Sequence, residues 1–222
     1  MGIPILAYFA AGAVVLPSLI GLAVYPKLEK DLKPLLVLFV VHSLLTALQF
    51  VLSFQRVNNL WTSHIYYLIE VVILFRVYSL WVPSATARSI FLGITLLYSV
   101  FWIGAKFLFE DFTTPALYTP TVSRVLLIGT TLYVLLITAS SSERPLYLEP
   151  RFWFAAGFLM LFTGSLMFYG FRTIIFRYSM DAIESLLTIH WINTIFSSCL
   201  HTVGFLCILR LPNTGGRLEL AP

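Results

Sequence analysis

Seven apolar runs, each about 20 residues long and separated by short polar connections, set the pattern of the chain: roughly 3–25, 34–54, 64–82, 89–109, 122–141, 152–171 and 185–210. At 1.5 Å per residue, such a run is the length of helix that crosses the ~30 Å hydrocarbon core of a bilayer. The pattern predicts an all-α fold, a polytopic transmembrane bundle of seven helices forming one domain over 1–210, with a short cytoplasmic tail at 211–222. Short connections force each span to run antiparallel to the one before it. Pro17 lies deep inside the first span and predicts a kink there, whereas prolines 26, 34, 83, 145, 150 and 212 punctuate span ends. The run at 3–25 has no Lys or Arg before it and no small-residue cleavage site after it, so it reads as a true first span.

Polar residues inside the runs fall on single faces. In the second span His42, Thr46, Gln49 and Ser53 follow helical spacing, as do His190, Thr194, Ser197 and His201 in the seventh, with Asn193 beside them. The third span carries Tyr67 and Glu70 on one face. Polar faces in lipid turn toward neighbouring helices or a cavity, so helices 2, 3 and 7 are expected to meet. Counting the rise per residue puts Gln49, Glu70 and Asn193 at nearly one level in the outer half, with His190 and His64 slightly further out. His42 and His201 share a level in the inner half. A carboxylate carried into hydrocarbon costs several kcal/mol, which makes Glu70 the centre of any site, as a ligand's counter-charge or as a proton acceptor. The alternative is a polar staple that fixes helix packing.

Arg76 follows Glu70 by six residues, about 240° around the helix, and is expected to reach the headgroups, as is Arg124 near the start of helix 5. Gly157 and Gly164 present a smooth strip on helix 6 for close packing. The connection at 171–179 is aromatic and charged, and Asp181 and Glu184 have the spacing of a capping pair opening helix 7, so helices 6 and 7 are expected to project beyond the outer surface.

Composition agrees with the pattern: 59% of the 222 residues are hydrophobic and 11% charged, far from soluble usage. The charge excess of +4 reflects topology and forms no stripe suited to nucleic acid. Lys27, Lys30, Lys33, Arg88, Arg144, Arg151, Arg210 and Arg217 fall on one side of the spans, and Arg56, Lys106, Arg124, Arg172 and Arg177 on the other. The bias places the N-terminus outside and the C-terminus in the cytoplasm. Trp61, Trp81, Trp102, Trp153 and Trp191 sit near span ends, where indoles settle at headgroup level. Cys199 and Cys207 lie about 12 Å apart along one helix, too far for a disulfide.

Three familiar classes lose their deciding residue. The last span has no lysine for retinal, no Pro-Gln pair marks a two-repeat sugar transporter, and His190 and His201 lack the spacing of the zinc-binding intramembrane hydrolases. No metal set is expected. Haem held axially by His42 and His201 is an alternative to the absence of any cofactor.

Asn59, Leu60 and Trp61 lead into His64, Tyr66, Ile69 and Glu70, and the last span carries Asn193. This Asn-Leu-Trp segment running into a His-x-Tyr-x-x-Ile-Glu helix resembles a group of uncharacterised small bacterial seven-helix inner-membrane proteins. The resemblance implies a multi-pass protein of the bacterial cytoplasmic membrane and brings no activity with it. With no output domain, the expected function is a non-enzymatic sensor, responsive to a small ligand or a proton at an outer cavity between helices 2, 3 and 7. It would act in the lipid bilayer through a protein partner. The alternatives are a structural subunit of a larger membrane complex, a small transporter and a haem-binding redox subunit.

Overall fold

Short polar connections, most of them carrying a proline, divide the apolar sequence into seven α-helices in the computed structural model, which describes residues 4–142, 144–175 and 180–210, with no strand among them. They are α1 (Ile5–Ala23), α2 (Lys33–Phe54), α3 (Leu60–Trp81), α4 (Ala85–Leu108), α5 (Tyr118–Ser141), α6 (Pro150–Ile175) and α7 (Met180–Leu209). Each holds a stretch long and apolar enough to cross a membrane. Side chains of 172–182 and the whole of 211–222 lie outside the described residues, and with them Arg172, Arg177, the Asp181 half of the proposed capping pair, Arg217 and the tail.

Helix α1 continues through Pro17, and Ser18 Oγ meets Ser43 Oγ of α2 at 2.7 Å. Helix α2 ends in a Schellman turn, with the amide of Arg56 bonded to Ser53 O and that of Val57 to Leu52 O. Arg56 takes the left-handed position, φ 58°, where glycine is usual. The turn delivers the chain to α3 at Leu60, four residues earlier than hydropathy indicates, because Asn58 Oδ1 accepts the Leu60 amide at 2.9 Å.

Six helices close a ring in which each packs on the next: α1 on α2, α2 on α3, α3 on α5, α5 on α6, α6 on α7, and α7 back on α1. Helix α4 stands outside the ring against α3, and Leu92, Leu96, Leu97 and Val100 face outward from it. The expected meeting of helices 2, 3 and 7 holds in part: α2 packs on α3, and Phe39 of α2 reaches His201 and Phe205 of α7, but α7 packs chiefly on α1 and α6 and the polar faces look into the ring. A core of phenylalanines, among them Phe39, Phe154, Phe158 and Phe205, fills the ring toward the end that carries the α1–α2 and α5–α6 connections.

The glycine strip of α6 is taken up by α7. A Cβ at Gly157 would lie 2.6 Å from the His201 ring, and one at Gly164 would overlap the Asn193 amide. Gly157→Val is accordingly expected to destabilise the bundle by about 1–3 kcal/mol through overpacking. In the same detergent melt Gly12→Ala, which meets nothing within 4 Å, should leave the midpoint unchanged or slightly raised.

Candidate functional site

The ring holds a partly open cavity of about 280 Å³, lined from the half of the helices nearer the N-terminus and the α2–α3 connection. Ala7, Ala10 and Ala11 of α1 make the room, because their short side chains leave the inner face of that helix hollow. The polar part of the wall comes from five other helices: His42, Thr46 and Gln49, then Tyr66, Tyr67 and Glu70, Arg124, Ser165 and Tyr169, and His190, Trp191 and Thr194.

At its centre is an ion pair. Arg124 Nη1 of α5 donates to Glu70 Oε2 of α3, with the two side chains 5% and 0% exposed, and Tyr66 OH donates to Glu70 Oε1 at 3.1 Å. The guanidinium lies over the rings of Phe162 and Tyr67, 4.9 and 5.5 Å from their centroids. Tyr67 OH meets Tyr169 OH at 2.5 Å and so ties α3 to α6 across the cavity. The pair forms part of the cavity wall, with Glu70 wholly shielded from solvent and Arg124 nearly so.

Arg124 is the residue that sequence reasoning missed. Hydropathy begins the fifth span at 122, which places Arg124 at the headgroups, but α5 already starts at Tyr118. Arg124 is then about 9 Å into its helix and Glu70 about 15 Å into α3, a difference that an arginine side chain spans. The same shift of helix starts corrects the predicted levels. Gln49 donates from Nε2 to Thr62 and Ser63, at 2.8 and 3.0 Å, near the beginning of α3 and well above Glu70. His42 stacks on Tyr66, centroids 4.5 Å apart, one turn from Glu70. His42 thus belongs to the cavity wall and the acid's neighbourhood, while Gln49 belongs to the rim.

Of the expected site residues, Glu70, Gln49, Tyr67 and His190 line the cavity, and His64 and Asn193 do not. Asn193 is held between helices, with Nδ2 reaching Leu161 O at 3.4 Å over Gly164. Arg76 is exposed and away from Glu70, as its angular position on the helix requires.

His201 lies deeper, with its ring 4.3 Å from Phe158 and 4.9 Å from Phe39. The space it shares with His42 is about 10 Å³, enough for about one water and far too small for a porphyrin, so axial haem ligation by this pair does not fit. The phenylalanine box makes the cavity a dead end.

His64 instead joins a knot between α3, α4 and the start of α5. Lys106 Nζ, which can only donate, lies 2.5 Å from His64 Nδ1 and 2.8 Å from Glu110 Oε2. His64 Nε2 therefore carries the proton that it donates to Thr114 O at 2.8 Å. Glu110 Oε1 accepts the amides of Leu117, Tyr118 and Thr119, and Oε2 accepts the Thr119 hydroxyl at 2.7 Å. The carboxylate caps α5 from outside the helix, which is where an anion is favoured. The knot satisfies every group in it and leaves none to bind a ligand, so His64 is structural. Lys106 and Glu110 were legible only as a charged span end.

Comparison of the chain with protein-family models, with curated proteins and with solved structures returns no match.

Proposed function

We propose that the chain is a multi-pass protein of the bacterial cytoplasmic membrane, N-terminus outside, and that its cavity receives a small polar solute from the outer side. The single observation that carries this reading is a solvent-reachable cavity built around a fully buried Glu70–Arg124 pair. The orientation gains support because Lys106 and Arg124 are occupied by Glu110 and Glu70 on one side, and only Arg151 by Glu29 and Asp31 on the other. Without these three, seven basic residues on one side face three on the other. The dead-end floor favours binding over passage. A solute with a carboxylate or an ammonium group competes for one member of the pair, and freeing the other biases a two-state arrangement of α3 against α5. A partner would read that arrangement as the signal.

The test uses Thr46→Cys, on the cavity wall, in a Cys199→Ser background that removes the exposed native thiol. A membrane-impermeant thiol reagent added outside intact cells is expected to label it, and one class among small carboxylates, amines and zwitterions is expected to slow labelling at least tenfold. Absence of labelling would overturn the open outer cavity. Labelling that no solute slows would overturn the receptor.

A further inference from the structure

A second recess lies on the outer face of the ring, at the opposite end from the cavity. Its volume is about 570 Å³, and its lining is almost wholly apolar, with Leu22, Tyr25, Val37, Val41 and Ile73 along its length and Lys30 and Lys33 at its mouth. From Lys33 to Val41 it follows α2 for about 12 Å, and Ile73 lies the same distance from the Trp81 end of α3. That depth ends inside one leaflet of a ~30 Å hydrocarbon core.

The charges around the mouth are unbalanced. The acids of the same connection, Glu29 and Asp31, are both taken by Arg151, at 3.1 and 2.9 Å. Lys27, Lys30 and Lys33 make no ion pair among the described residues, and Lys33 Nζ is held over the Tyr25 ring at 4.9 Å, beside the groove. An apolar slot one leaflet deep, ending in uncompensated cations at the headgroup level, matches a single amphiphile with an anionic head.

We propose that this groove is a binding site for an anionic phospholipid of the leaflet on the α1–α2 side, one acyl chain lying along α2 and the phosphate between Lys30 and Lys33. The proposal rests on the membrane-spanning part of the reading above and is independent of the cavity. Interfacial cations draw anionic headgroups, and each is worth roughly fivefold in affinity near the surface.

Titration of the delipidated, detergent-purified protein with phosphatidylglycerol or phosphatidylcholine of identical chains, read by native mass spectrometry, tests it. The protein is expected to prefer phosphatidylglycerol. Lys30→Gln with Lys33→Gln should reduce that preference about 30-fold, and Lys30→Arg with Lys33→Arg should keep it. Val37→Trp, which fills the groove, should lower retention of both lipids. Equal retention of the two lipids by the wild-type protein overturns the proposal, as does full preference in the glutamine variant. Release of the chain from membranes by alkaline carbonate without detergent would instead remove the membrane reading itself.

Discussion

Replacing Arg124 with methionine while Glu70 remains is expected to lower stability by about 3–5 kcal/mol, a drop of many degrees in a detergent melt. The reason is the charge left behind. Glu70 is completely buried, and its carboxylate holds one bond from Arg124 and one from Tyr66, so deletion of the guanidinium strands an anion in a low-dielectric wall. Glu70→Gln combined with Arg124→Met removes both charges and is expected to regain most of the loss, since desolvating the pair is costly in the intact protein. The double variant also separates support from recognition. A purely structural pair predicts a stable double variant in which the thiol at Thr46→Cys is still protected by solute, whereas a recognition element predicts a stable variant without protection. Equal melting of wild type and Arg124→Met would dismiss the ion pair altogether.

That pair shows where sequence reasoning ends. Seven helices and their order follow from apolar length, because nothing else keeps so many consecutive non-polar residues. The polar stripes of α2 and α7 were legible for the same reason, since 3.6-residue periodicity survives any error in where a helix starts. Levels do not survive it. Hydropathy began the third span at 64 and the fifth at 122, but Asn58 and Glu110, both outside the apolar runs, start α3 at Leu60 and α5 at Tyr118. Four residues are worth about 6 Å along a helix, enough to trade His42 for Gln49 beside Tyr66 and Glu70 and to hide Arg124. Neighbour order around the ring was equally out of reach. Short connections show which helices run antiparallel, yet the placement of α4 outside and of α5 between α3 and α6 depends on side-chain fit, such as the Tyr67–Tyr169 contact.

Acid should expose the device that sets the start of α5. Burial alone would raise the Glu110 carboxyl, but the bonds from Lys106, the Thr119 hydroxyl and the amides of Thr119 and Leu117 outweigh it and hold the group down at about 2, against 4.5 when free. A carboxylate whose folded value lies below its unfolded one contributes its stabilisation above the unfolded value and loses it as the pH falls toward the folded one. The contribution is thus complete above about pH 5 and fades between 4.5 and 2. It amounts to about 3 kcal/mol for a shift of this size in a side chain 4% exposed. Glu110→Gln keeps the shape but cannot accept charge-assisted bonds at both oxygens, and it leaves Lys106 buried without its anion. It is expected to lower the melt at pH 7 and to flatten the loss of stability below pH 4.5. The difference between the wild-type and variant pH curves isolates this group from other acids. A difference that stays constant from pH 7 to pH 3 would mean that Glu110 is held by shape rather than charge, and the capping role assigned to it would fall.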